Sequence, residues 1–147
     1  MGADMSITVF GPMLVLILWT FSIGFMAGLR RVREIRSRRI PLASVARPRD
    51  VARVLEDTKF MDNFNNLLQV PLLFYIWCLA MIQWQVSGLP WELGAWAYVA
   101  LRMTHSVIQV THNRVMQRFC VWISSNATLL LLWVIFGVHL LQGHALL

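Results

Sequence analysis

Four stretches of this chain, residues 7–29, 64–86, 94–111 and 119–141, are each long and apolar enough to cross a bilayer, which takes roughly 20 residues. They occupy most of the 147 residues, and 58% of the chain is hydrophobic. Little is left for any extramembrane domain. The expected fold is all-α: one polytopic membrane domain, 1–147, built as an antiparallel four-helix transmembrane bundle. The first stretch does not resemble a secretory signal. The preceding "MGADMS" carries Asp4 and no basic residue, and the apolar run is too long for a signal core. The same six residues fit an N-myristoylation pattern, which we read as coincidence beside an immediate span.

Charge sets the orientation. The formal net charge is +6, with thirteen Lys and Arg against seven Asp and Glu. Ten of those cations fall in the loop 30–62: Arg30, Arg31, Arg33, Arg36, Arg38, Arg39, Arg47, Arg49, Arg53 and Lys59. Arg114 and Arg118 lie in the next loop on that side. The positive-inside rule then makes both basic loops cytoplasmic and puts both termini outside. Trp84, Trp91 and Trp96 cluster about the outer loop, where an aromatic belt belongs. Arginines beside spans set topology and touch anionic lipid headgroups, so membrane lipids are the expected partners and nucleic acid is not. Cys78 and Cys120 have neither CxxC nor metal spacing, and no metal is expected.

Between the first two spans, Pro41 and Pro48 interrupt the chain. "PRDVARVLEDTKFMD" then regains helical spacing and is expected to extend the second helix into the cytoplasm. Pro71 predicts a kink in that helix. "SGLPW" is a turn, and short turns on both sides of the third helix make helices two, three and four antiparallel neighbours. Gly24 and Gly28 form a small-xxx-small pair that permits close helix approach. The "NAT" at Asn126 matches a glycosylation acceptor but lies inside a span, which discounts it.

The polar residues converge on one depth. With the orientation above, Asn63, Asn65, Asn66 and Gln69 leave the cytoplasmic side on helix two. Arg102, His105, Ser106, Gln109 and His112 arrive there on helix three, and Arg118 starts helix four. Arg102, His105, Gln109 and His112 are three, four and three apart, so they form one stripe. Such a stripe cannot face lipid: an arginine at mid-helix costs at least about 2.5–3.5 kcal/mol on insertion scales. Two readings stay open. Polar side chains glue membrane helices together at roughly 0.6–2 kcal/mol per contact. Alternatively, Arg30, Arg102 and Arg118, with no carboxylate inside the spans, surround a site for an anionic ligand.

Two segments, "NFNNLLQVPLLFY" and "YVALRMTHSVIQVTHNRVMQRF", resemble the MAPEG family, the membrane-associated proteins in eicosanoid and glutathione metabolism. The likeness is nearest to the family's small bacterial members. It implies a homotrimer of four-helix subunits that binds glutathione between neighbours in the cytoplasmic half of the membrane. Carried over by position, Arg30, Asn66, Arg102 and His105 would contact glutathione, as would Gln69 and Gln109 at the remaining motif positions. Arg118 would stand beside the sulfur as the catalytic residue. The chain departs from the family pattern at Gln69, where a glutamate is usual, at Gln109 in place of a tyrosine, and at Phe119 in place of one class's serine. Asp62 and Asn65 occupy positions where an arginine is common.

Two functions follow from these residues. One is a glutathione-dependent transferase or peroxidase acting on lipophilic small-molecule electrophiles that enter from the bilayer. The other is a non-catalytic trimer binding a lipid or acidic metabolite in the same crevice. A transporter is disfavoured, because the helices show no paired, interrupted repeat. The topology is testable directly: cysteine labelling or reporter fusions should place residues 36–59 in the cytoplasm and Gly88 outside. A C-terminal reporter found inside would overturn the orientation.

Overall fold

The computed structural model describes residues 9–144, so the "MGADMS" segment lies outside the described residues. The helices are α1 (Phe10–Ser37), α2 (Pro48–Val54), α3 (Lys59–Leu68), α4 (Pro71–Gln83), α5 (Leu89–Val110) and α6 (Val115–His144), with a 3-10 turn at Leu42–Val45. No strand occurs among the described residues. Taken as rods, α1, α3 with α4, α5 and α6 run alternately up and down. Gly11 on α1 lies beside Trp96 on α5, and Trp91 on α5 lies against Phe136 and His139 near the end of α6. At the opposite, basic end, Gly24 of α1 meets Phe64 of α3, and Trp19 of α1 reaches Ser106 of α5.

Three rods are long and apolar enough to span a membrane: Phe10–Ser37, Lys59–Gln83 and Val115–Gly143. The α5 helix is about 33 Å long at 1.5 Å per residue, long enough for a bilayer. Its polar stripe interrupts its apolar run, so it is not among those three. The stripe is what places α5 at the centre. Its buried face carries Ala95, Tyr98, Val99, Arg102, His105, Ser106 and Gln109, and α1, α3 and α6 pack around it. His112, the last member of the predicted stripe, is exposed beyond the helix end. Around this face Leu16, Phe74, Trp77, Met81 and Tyr98 are fully buried. Phe74 and Tyr98 stack with centroids 4.5 Å apart.

Two expectations about the second rod are corrected. Pro71 does not kink a continuous helix; the helix ends and restarts. Gln69 takes φ −87°, ψ −94°, off the helical region. Proline lacks the N–H that would bond one turn back. The chain resumes through tight i→i−3 bonds from Leu72 to Gln69 and from Leu73 to Val70. The segment from Pro48 does not extend α3 either. It forms the separate helix α2, and Leu55 is already extended.

Electrostatic contacts explain that separation. The Glu34 carboxylate at the end of α1 accepts from Arg38 Nη1 (2.7 Å), from the Glu56 backbone N–H (2.9 Å) and from the Asp57 backbone N–H (3.3 Å). Only 12% of its side chain is exposed. The donated Glu56 N–H holds this carboxyl below the usual carboxylate range, with burial opposing and Arg38 adding to it. Arg38 also donates to the Val54 carbonyl and pairs with Glu56. The connection between α2 and α3 is thus tied back onto α1, which an uninterrupted helix could not reach.

The Gly24–Gly28 pair splits. A Cβ on Gly24 would fall 2.7 Å from Phe64 Cε2, whereas one on Gly28 meets nothing within 4 Å. Overpacking a tight contact costs about 1–3 kcal/mol. Gly24→Ala should therefore lower thermal stability in detergent while Gly28→Ala leaves it unchanged. Phe64→Leu should recover part of the Gly24→Ala loss. Equal effects of the two glycine substitutions would contradict this packing.

Candidate functional site

The three arginines grouped by the sequence lie in three different settings within the subunit. Arg102 is 1% exposed and turned into the bundle. Its Nε donates to Tyr98 Oη (3.1 Å), one turn earlier on α5, and its Nη2 donates to Asn126 Oδ1 (3.0 Å) on α6. The Asn126 amide is fixed in turn, because its Nδ2 donates to the Trp122 carbonyl (2.9 Å). A buried cation is tolerated when hydrogen bonds replace its water, and here neutral oxygens do so. Asn126, discounted as a glycosylation site, thereby links α5 to α6. Tyr98 was legible, since it continues the same stripe; Asn126 was not, since nothing in spacing points from α6 to Arg102.

Arg30 is exposed toward the basic end of α1. It pairs with Asp57 at 2.9 Å, and its guanidinium lies 4.3 Å from the Phe60 ring centroid. It lines a cavity of about 420 Å³ with Arg33, Glu34, Ser37, Arg38, Glu56 and Asp57. Within the single subunit this cavity does not include Arg102 or Arg118.

Arg118 stands where the first turn of α6 meets the basic end of α5. The turn residue Asn113 has φ +46°, a conformation asparagine tolerates better than most residues. Its Oδ1 accepts from Arg118 Nη1 at 2.8 Å. Arg118 lines a cavity of about 300 Å³ together with Asn66, His105, Val115, Phe119 and Trp122. His105 sits between the Arg118 carbonyl, 3.1 Å from Nδ1, and Gln109 Oε1, 3.2 Å from Nε2. Gln109 also meets Asn66 Nδ2 at 3.1 Å. Asn66 of α3, His105 of α5 and Arg118 of α6 therefore line one cavity, with Gln109 buried against the first two. Gln69 is exposed at the α3–α4 break and hydrogen-bonds through its backbone carbonyl to Leu72.

Other polar groups at this depth serve packing. Ser106 is fully buried; it accepts from Trp19 Nε1 at 3.0 Å and from Asn63 Nδ2, joining α1, α3 and α5. The polar groups thus divide: Arg102 and Ser106 join helices, while His105 and Arg118 line a cavity. A third cavity, about 460 Å³, lies between α1, α2 and α3, with Arg31, Asp57, Asp62 and Asn65 among its lining. Among the described residues no three His, Cys, Asp or Glu side chains converge as a metal site would require.

The MAPEG family model matches residues 9–138. No curated protein and no solved structure matches the chain. With its apolar rods and a family match over most of its length, this chain is an integral membrane protein belonging to the MAPEG family, whose proteins work in glutathione and eicosanoid metabolism.

Proposed function

We propose that the protein is a glutathione-dependent transferase or peroxidase acting on lipophilic electrophiles that reach the site from the bilayer. The observation that carries this reading is the placement of Arg118. Asn113 holds its guanidinium on the wall of a cavity that is polar on one side (Asn66, His105) and apolar on the other (Val115, Phe119, Trp122). The polar wall suits a peptide thiol, and the apolar wall a lipophilic acceptor. A neighbouring guanidinium lowers a thiol pKa, and the thiolate is the nucleophile. In transfer, the thiol proton leaves, a carbon–sulfur bond forms and the leaving group departs with its electron pair. In the peroxidase reaction, two glutathione thiols become a disulfide as a hydroperoxide becomes an alcohol and water.

The cavity of one subunit is at the lower end of the range for ligand pockets, about 300–1,000 Å³. Our reading has a neighbouring subunit of a homotrimer closing it. In the bacterial inner membrane all four rods would span, with periplasmic termini and the basic connection from α1 to α3 in the cytoplasm. Exposed apolar residues suit lipid or subunit contact: Leu18, Phe21 and Phe25 on α1, and Leu130, Leu131 and Val134 on α6.

A second reading has its own observation. Arg30 is committed to Asp57, Arg102 is buried and Gln69 stands apart, so few of the candidate contacts remain at the cavity. That favours a smaller acidic metabolite or a lipid headgroup, bound without catalysis.

Calorimetric titration with reduced glutathione separates the two. On the first reading glutathione binds, and the complex shows thiolate absorbance near neutral pH. A charge-assisted hydrogen bond contributes roughly 1.5–3 kcal/mol, and one pKa unit is about 1.4 kcal/mol. The bound thiol of Arg118→Ala should therefore titrate about one to two units higher, with binding less affected. A wild type saturated with glutathione yet lacking a thiolate signal would remove the mechanism. Native mass spectrometry in mild detergents should show trimers; monomer alone across several detergents would count against the assembly.

A further inference from the structure

The contacts around His105 determine the hydrogen-bonding character of the cavity. The ring lies between two oxygen positions, the Arg118 carbonyl and Gln109 Oε1, and Asn66 Nδ2 approaches that same Oε1. A backbone carbonyl only accepts, so Nδ1 carries the hydrogen facing Arg118. If Gln109 also turned its oxygen to the ring, Nε2 would need a hydrogen too, and the ring would be an imidazolium. The charged groups that bear on it are Arg102 from α5 and Arg118 from α6. The polar residues nearby on α3, Asn63 and Asn66, are neutral. A third cation beside two guanidiniums, with no carboxylate to offset it, is strongly disfavoured.

A glutamine amide presents oxygen or NH2 in nearly the same space, and the surrounding bonds decide which. With its NH2 toward the ring, Gln109 has two hydrogens for two acceptors, one for His105 Nε2 and one for Asn66 Oδ1. Each of these three contacts then pairs a donor with an acceptor while the ring stays neutral. Asn66 is left with its own NH2 directed away from Gln109.

We propose that Gln109 is a positioning residue that sets the cavity's polarity: it donates to both His105 and Asn66, turning the Asn66 NH2 into the cavity beside Arg118. The cavity then offers donors only and selects ligand groups that accept, such as a carboxylate or a thiolate. This consequence for ligands rests on the cavity being the binding site proposed above; the direction of the hydrogen bonds does not.

The test is side-chain nitrogen NMR of the full-length, detergent-solubilised protein. His112→Gln, His139→Gln and His144→Gln together leave His105 as the only imidazole. At pH 7 His105 should be neutral, with its hydrogen on Nδ1. In a Gln109→Glu background two acceptor oxygens replace the donor, so His105 should become an imidazolium. Asn66 would then turn its oxygen to the cavity, and affinity for reduced glutathione should fall roughly tenfold or more, the scale of one charge-assisted hydrogen bond. A wild-type ring carrying its hydrogen on Nε2, or on both nitrogens, overturns the proposal even if Gln109→Glu fails to fold. Should glutathione not bind while His105 is neutral and Nδ1-protonated, the transferase reading fails and the positioning role of Gln109 stands.

Discussion

An arginine in the middle of an apolar helix must be hidden from lipid, and most of this architecture follows from hiding Arg102. Its charge cannot be neutralised locally, because no carboxylate stands near it in the sequence. Two neutral oxygens replace its water instead, one from Tyr98 on its own helix and one from Asn126 on α6. Both helices must then stay in register at this level. Ser106, one turn along, imposes the same condition on α1 and α3 through Trp19 and Asn63. The long helix whose apolar run is interrupted by a polar stripe is therefore the one that the others surround. In hydrocarbon each unsatisfied polar group costs several kcal/mol, so these few contacts weigh more than their number suggests.

The same economy separates the arginines by task. Arg102 is consumed by the fold. Arg30 is consumed by the basic end, where Asp57, Glu34 and Arg38 bind the connection between α2 and α3 back to α1. Arg118 is held by an asparagine and still lines a cavity, so its charge remains available to a ligand. The nucleophile site proposed for this cavity needs a cation that is positioned but not neutralised, and a neutral amide oxygen supplies that condition where a carboxylate would not.

Much of this could be read from the residues in order. Length and apolarity gave the rods, and the three-four-three spacing on α5 identified the face that had to be covered. The residues carrying the family resemblance lie within the segment matched by the family model. Tyr98 was within reach of the same reading, being four residues before Arg102 on that face. The helix break was only half legible. Proline announces a lost hydrogen bond, but whether a helix bends or stops depends on the packing available to the next turn.

What the sequence determined by itself was the set of helices and the face of α5 that had to be buried, because hydropathy and periodicity are local properties with a 3.6-residue register. What tertiary structure alone decided was the partner of each polar group: Asn126 for Arg102, Asp57 for Arg30, Asn113 for Arg118, and Gln109 for both His105 and Asn66. Several acceptors of similar chemistry were available to each donor. The choice among them was made by which helices pack together and at what height, and that is a property of the assembled bundle rather than of any one segment.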